Sequence, residues 1–517
     1  MPNSPTGGRG GQVHDEQAAE VAMMPGVLRR SLPTLTYMAL AFLFLGTAGY
    51  HSATGAIDEQ PYRDIWQHVA ALRALIENPS APGNPFVASG EISRHYHPLW
   101  LGYATLARVL GLTPWQVVSW ASYGGMIVMG AGIFAFARSY FRSPWAPVVL
   151  LCVLLFGWAF QVEHTGLHSF ATLFFGAAYP ATYLVGVSLL LWAAIIAGLR
   201  RPWLLCLVVP LAAFAFATHQ LGAVIGFVGA GALILVQPGG ALSVRVWAAV
   251  ALLGGIGVAL FWPYYNPLML ILQPGNSSWD GGPDFYDWRN LVIVLTPAAL
   301  GIFGLRSAEA RALLLALTAY TAIFAIGFTG LQIAGRFLMP MTLVLQIGLA
   351  GLLIGLWRDM RITPMQRQIV ALLALVAVMG VFLFEVTRQR DLNARISAMA
   401  PRPYAAALSL TADIPDDEEV AAFGMAAWPI VAGGQKVIAV PWPEPGIADL
   451  AARQALTVSL FDPALSGEAR RALAASNGVR VLIADVRSLP SDTLETLAAQ
   501  SIRTEAKDSF RRFDLFE

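Results

Sequence analysis

The sequence predicts a polytopic α-helical membrane protein of about eleven transmembrane helices that ends in a small α/β domain outside the membrane. Three observations predict it. Of 517 residues, 56% are hydrophobic and 13% charged, with mean hydropathy +0.59, which is more apolar than the surface of a soluble domain allows. Apolar runs long enough to cross about 30 Å of hydrocarbon recur as far as residue 386. Beyond it the pattern changes to alternating strand-like and helix-like segments. A net charge of +1, with basic residues in short clusters, gives no reason to expect a nucleic-acid partner.

The chain opens with a polar, glycine-rich lead over residues 1–30, read as disordered and cytoplasmic, without the pattern of a cleaved signal peptide. A membrane unit over residues 31–386 follows, with spans expected at Leu32–Tyr50, Trp115–Ala137, Trp145–Phe160, Phe174–Leu199, Trp203–Ala217 and Leu221–Val236. Five more are expected at Val246–Tyr264, Leu291–Leu305, Ala312–Thr329, Phe337–Trp357 and Ile369–Glu385. Cys152 and Cys206 lie inside apolar runs and read as small core residues, neither paired nor metal-bound.

Arginine placement sets direction, because lysine and arginine collect in short cytoplasmic loops. With the N-terminus inside, Arg29, Arg30, Arg138, Arg142, Arg200, Arg201, Arg245, Arg306, Arg311, Arg358, Arg361 and Arg367 all fall on the cytoplasmic side. The agreement requires His97–Gly111, which carries Arg108, to lie on the outer surface within a large first outer loop, 51–114. An odd number of crossings puts residues 387–517 outside. There "EVAAFGM", "KVIAV", "VRVLIAD" and "RRFDLF" read as strands of a mainly parallel sheet between helices. The glycine pair of "VAGGQKVIAV" reads as a helix C-cap, and Asp416–Glu419 as a solvated turn.

The polar residues of the membrane unit collect on the outer side. Asp58, Glu59, Asp64, His68, Arg94, His95 and His97 lie in the first loop, and Glu163, His164 and His168 in "QVEHTGLHSF". His219 and Arg336 lie between later spans, as do Asp280, Asp284 and Asp287. Ionisable groups near membrane depth are costly and mark a site or pathway. Local chemistry competes with that reading at each position. Asp64 and His68, spaced i, i+4, also fit a surface pair on an amphipathic helix. His164 and His168 share the spacing, and a divalent metal there needs further ligands. His219 also suits a backbone-bonded turn, and the glycine-flanked aspartates suit turns. Arg336 at the head of a span suits a phosphate, although it also suits snorkelling to headgroups.

The acidic pair Asp58–Glu59 after the first span, the helix in "IWQHVAALRALIENP", the proline-marked "HYHPLWLGYATLARVLG" and the late "GRFLMP" together resemble the GT-C superfamily of glycosyltransferases. The resemblance runs across most of the chain. It implies an enzyme of the bacterial inner membrane, with a cytoplasmic N-terminus and a periplasmic C-terminal domain. Such an enzyme transfers a hexose or pentose from a polyprenyl-phosphate donor to a lipid, glycan or protein acceptor. Where relatives that transfer aminoarabinose or mannose often carry a lysine-proline pair, this chain has His97 and Pro98.

Transfer from a sugar phosphate lipid needs a base for the acceptor hydroxyl, but phosphate leaves as a stable anion without help from an acid. The resemblance therefore implies Asp58 as base, with Glu59 and then Asp64 as alternatives. It implies Arg336 for the donor phosphate, with His68, Arg94, His95, His97, Glu163, His164, His168 and His219 around donor or acceptor. No cofactor is firmly implied, and a divalent metal stays open. Two other classes share the outward polar cluster: a flippase or transporter of lipid-linked glycan, and a catalytically inactive accessory protein of glycan assembly. A transporter calls for broken helices in two related halves, and no such repeat is visible.

Overall fold

The computed structural model of this chain describes residues 26–54, 65–89, 91–157, 169–272, 283–307, 310–399, 403–442 and 444–517. Each expected apolar run holds helix. Helix α1 spans Gly26–Thr54; α2 (Ile65–Glu77) and α3 (Pro98–Leu110) occupy the first loop; α4 covers Pro114–Tyr140. Next come α5 (Ala146–Phe156), α6 (Phe170–Gly176), α7 (Pro180–Gly198), α8 (Val208–Thr218) and α9 (Gln220–Val236). The membrane unit continues with α10 (Leu242–Ala259), α11 (Pro267–Leu272), α12 (Trp288–Ala299), α13 (Gly301–Gly304), α14 (Arg311–Ile326), α15 (Leu338–Asp359) and α16 (Pro364–Met399). Among the described residues, seven helices are long and apolar enough to cross a bilayer, and α5, the α8 segment and α9 are shorter apolar helices beside them. The protein is a multi-pass membrane protein.

Local chemistry sets the ends of these helices. Thr113 and Gln116 form a capping box at the head of α4, with Thr113 N–H donating to Gln116 Oε1 at 2.8 Å and Pro114 opening the helix. Glycine allows α4 and α7 to touch, since a Cβ at Gly132 would meet the Gly186 carbonyl oxygen. Helix α3 is too short to cross. It starts at His97 and Pro98 and stops at Gly111, whose φ of 67° closes the helix.

Several expectations are corrected. The run Phe174–Leu199 is not one helix, because α6 stops and Pro180 starts α7 afresh after Tyr179. Helix α16 does not end near residue 386 but continues to Met399, with Glu385 paired to Arg388 at 2.9 Å one turn on. Cys206 is exposed and Cys152 half-buried, because the rim of a membrane bundle is as apolar as its core. Helix α2 is not an amphipathic surface helix: ten of its residues from Ile65 to Leu75 are buried, since α3, α4 and the C-terminal domain all pack against it.

That domain runs α17 (Pro403–Thr411), β1 (Glu419–Phe423), α18 (Ala427–Gly433), β2 (Lys436–Val437), α19 (Leu450–Leu460) and α20 (Gly467–Ser476). It ends with β3 (Val481–Asp485), α21 (Ser491–Gln500), β4 (Arg503–Lys507) and β5 (Phe510–Asp514). The sheet order is β2-β1-β3-β5-β4. Strands β2, β1 and β3 are parallel, but β5 runs antiparallel to both β3 and β4, so the sheet is mixed. A hairpin turning at Asp508, with φ 49°, adds the edge strand that reading by apolar alternation missed. Gly434 caps α18 at φ 106°, in the glycine pair expected to do so. Glu418 and Glu419 leave the expected solvated turn to pair with Arg480 at 3.0 Å and Arg453 at 3.2 Å.

The first loop and the C-terminal domain share one core. Trp66, Phe86, Tyr96 and Trp100 belong to the same buried cluster as Trp428, Val437 and Ile483. Val437 N–H donates to the Phe86 carbonyl at 2.9 Å, which covers the β2 edge. Lys436 Nζ donates to Asn84 O at 2.7 Å, and Ala88 N–H to Glu419 Oε1 at 2.6 Å.

Candidate active site

A cavity of about 340 Å³ lies where the first loop, the membrane helices and the C-terminal domain meet. His68 comes to it from α2, and Arg94, His95 and His97 from the segment leading into α3. His219 enters from the break between α8 and α9, and Arg336 from the 3-10 turn Gln332–Phe337 that leads into α15. The rest of the wall is largely apolar, with Leu184, Val185, Val224, Ile225, Met339 and Leu343 contributed by spans. The lining therefore combines a set of polar and cationic groups with an apolar surface like that of a lipid site.

Local hydrogen bonding fixes three of these histidines. His97 is the N-cap of α3, and its Nδ1 accepts from Trp100 N–H at 3.4 Å. His219 is the N-cap of α9, and its Nδ1 accepts from Gly222 N–H at 3.0 Å. His68 Nδ1 accepts from the indole Nε1–H of Trp100 at 3.0 Å. Burial, followed by the nearby His95 and His97, pushes His68 well below the ordinary histidine range. Burial, followed by His95 and His219, does the same to His97. Both rings are therefore neutral near pH 7, and an imidazole that accepts at Nδ1 carries its proton on Nε2. Such a nitrogen is a hydrogen-bond donor and has no lone pair for a metal.

The C-terminal domain adds a carboxylate that sequence reasoning missed. Glu444 is 5% exposed, and its Oε2 lies 3.4 Å from Arg94 Nε and 3.4 Å from His95 Nε2. Burial alone would raise the Glu444 carboxyl, but Arg94 and His95 outweigh it and hold the group below the ordinary glutamate range. The neighbouring Pro445 forms part of the cavity wall. "PWPEPG" carries no signal that its glutamate would meet an arginine some 350 residues earlier. Gln67, Tyr179 and Gln220 also line the cavity and were not singled out by sequence.

His68, Arg94, His95, His97, His219 and Arg336 are thus brought together. Asp58, Glu59, Asp64, Glu163, His164 and His168 lie outside the described residues, as does Asp280. Asp287 caps α12, accepting from Arg289 N–H at 2.9 Å, which is turn chemistry. Among the described residues no group of three or more His, Cys, Asp and Glu is placed to hold a metal ion.

No protein-family model matches the sequence, and no curated protein matches it. Solved structures match its fold. ArnT from Cupriavidus metallidurans in the apo state superposes with a TM-score of 0.55 at 14% identity, covering 93% of this chain and 98% of its own. The arabinofuranosyltransferase AftD from Mycobacteria gives 0.58 at 13% identity, over 93% of this chain and 40% of its own. The Archaeoglobus fulgidus oligosaccharyltransferase, solved with zinc and sulfate, gives 0.51 at 12% identity, over 86% of this chain and 68% of its own. All three are GT-C glycosyltransferases, and what the chain shares with them is the GT-C fold.

Proposed function

We propose that this protein is a glycosyltransferase that moves a sugar from a polyprenyl-phosphate donor to a lipid, glycan or protein acceptor at the outer face of a bacterial inner membrane. The observation that carries the reading is the mixed lining of the cavity. Imidazole N–H donors of His68, His97 and His219 line it together with Arg94 and Arg336, and apolar span side chains make up much of the rest. A phosphate monoester or diester oxygen only accepts hydrogen bonds, so a cluster of donors and guanidinium groups suits it. The apolar wall suits the polyprenyl tail.

In this reading Asp58 takes the proton from the acceptor hydroxyl, with Glu59 and Asp64 as the next candidates. The freed oxygen attacks the anomeric carbon, the bond from that carbon to the phosphate oxygen breaks, and polyprenyl phosphate departs with the electron pair. Arg336 and the histidine N–H groups hold the phosphate as its charge grows. The test is incubation of the purified protein with labelled polyprenyl-phosphate sugars. Release of polyprenyl phosphate that depends on an acceptor supports the assignment, and movement of the lipid across vesicles without turnover refutes it.

A further inference from the structure

Two of the three histidine tautomers at the cavity depend on one residue. Trp100 is wholly buried in the first turn of α3, behind Pro98. Its indole N–H donates to His68 Nδ1 at 3.0 Å, and its backbone N–H donates to His97 Nδ1 at 3.4 Å. The two rings belong to different elements and lie 6.4 Å apart, centroid to centroid. Among the described residues His97 Nε2 is buried with no hydrogen-bond partner, and the residue lines the cavity. A buried donor left unpaired is costly, so this nitrogen is placed for something that enters.

We propose that Trp100 is a positioning residue that fixes His68 and His97 together as Nε2–H donors toward the bound phosphate. This rests on the reading that the cavity takes the donor's phosphate. The physical need is specific to an oxyanion. A histidine in the other tautomer presents a lone pair at Nε2, and a lone pair facing a phosphate oxygen repels it. Neutral rings escape this only when something holds the proton on the correct nitrogen, and at His68 that is the indole. Packing is a separate role for Trp100, whose ring lies 5.4 Å from His68 and 6.1 Å from Tyr103. Packing does not need the N–H.

The experiment therefore removes the N–H and keeps the shape. Full-length protein in nanodiscs, labelled with ¹⁵N-histidine, is compared with a variant carrying 3-benzothienylalanine at position 100, in which sulfur replaces the indole N–H. Trp100→Phe serves as a second variant. Long-range ¹H–¹⁵N spectra report each histidine's tautomer, and binding is measured with farnesyl phosphate against farnesol. The expected result is a His68 that no longer holds the pure Nε2–H tautomer beside an unchanged His97. Farnesyl phosphate should bind about 3- to 10-fold more weakly, the effect of one neutral hydrogen bond, while farnesol is unaffected. An unaltered His68 tautomer with unaltered farnesyl phosphate affinity in the benzothienyl variant overturns the proposal. Wild-type protein that does not distinguish farnesyl phosphate from farnesol overturns the phosphate reading instead, and the His68 spectrum then decides separately whether Trp100 holds its tautomer.

Discussion

Glu444 of the C-terminal domain lies 3.4 Å from Arg94 of the first loop, both side chains largely buried beside the cavity. The pair joins the last domain of the chain to its earliest loop. Its carboxyl is lowered despite burial, so its stabilisation is complete above the unfolded glutamate value and disappears as pH falls through the lower folded value. Thermal unfolding of the purified protein should therefore show a loss below about pH 4.5 that Glu444→Gln flattens. At neutral pH, Glu444→Gln should destabilise by about 3 to 5 kcal/mol, because it removes the carboxylate of a largely buried ion pair. An unchanged melting temperature at pH 7 would show that the pair adds nothing.

Arg336→Ala should weaken use of a polyprenyl-phosphate donor by about 2 to 4 kcal/mol, the effect of losing one desolvated charge-assisted contact. Arg336→Lys should rescue only part of it, since a point charge does not reproduce the planar fork. Donor titrations of the two variants decide this. Equal affinity in both returns Arg336 to a lipid-headgroup role.

Asp58→Asn keeps size and most hydrogen bonding but removes the proton acceptor. Turnover should fall about 10²- to 10⁴-fold with donor binding retained, and Glu59→Gln and Asp64→Asn should cost less. A dead Asp64→Asn beside an active Asp58→Asn moves the base to Asp64.

The arginine turns predict the direction in the membrane. Reporter fusions at Gly239 and at Glu517 should give opposite answers, inside and outside respectively. Cytoplasmic reporter activity at Glu517 removes the odd number of crossings.

Gly132 faces the Gly186 carbonyl oxygen across the α4–α7 crossing, where no Cβ fits. Gly132→Val should push the helices apart and cost about 1 to 3 kcal/mol, seen as a lower melting temperature in detergent. Gly231, which has open space around it, should accept alanine without that loss.

The helices of the membrane unit were legible because hydropathy reports directly on length and apolarity. Which face of each helix points inward was not, because lipid and core are equally apolar; Cys206 is exposed for that reason. Strand β4 was missed since "RTEAK" is an exposed edge with no apolar alternation. The clustering of His68, His97, His219 and Arg336 could be read from polar residues gathering on one side of the spans. The bonds that make the three histidines donors could not, except that His97 and His219 each stand three residues before the amide they cap. Glu444 met Arg94 through tertiary packing alone, which no local pattern encodes.

The β2 edge covered by Phe86, and Arg73 Nε donating to Ala432 O at 3.3 Å across 359 residues, have a consequence for how the molecule is made. The first loop leaves the ribosome early and α3 and α4 soon pack on one side of α2, yet the α18 side of its cover is synthesised last. At about 5 to 20 residues per second, the loop waits roughly 20 to 70 s for its cover. During that interval the face of α2 that meets α18, with Arg73 on it, stands uncovered. A nascent chain stalled before residue 403 should therefore be cut by protease in α2, and the finished chain should resist.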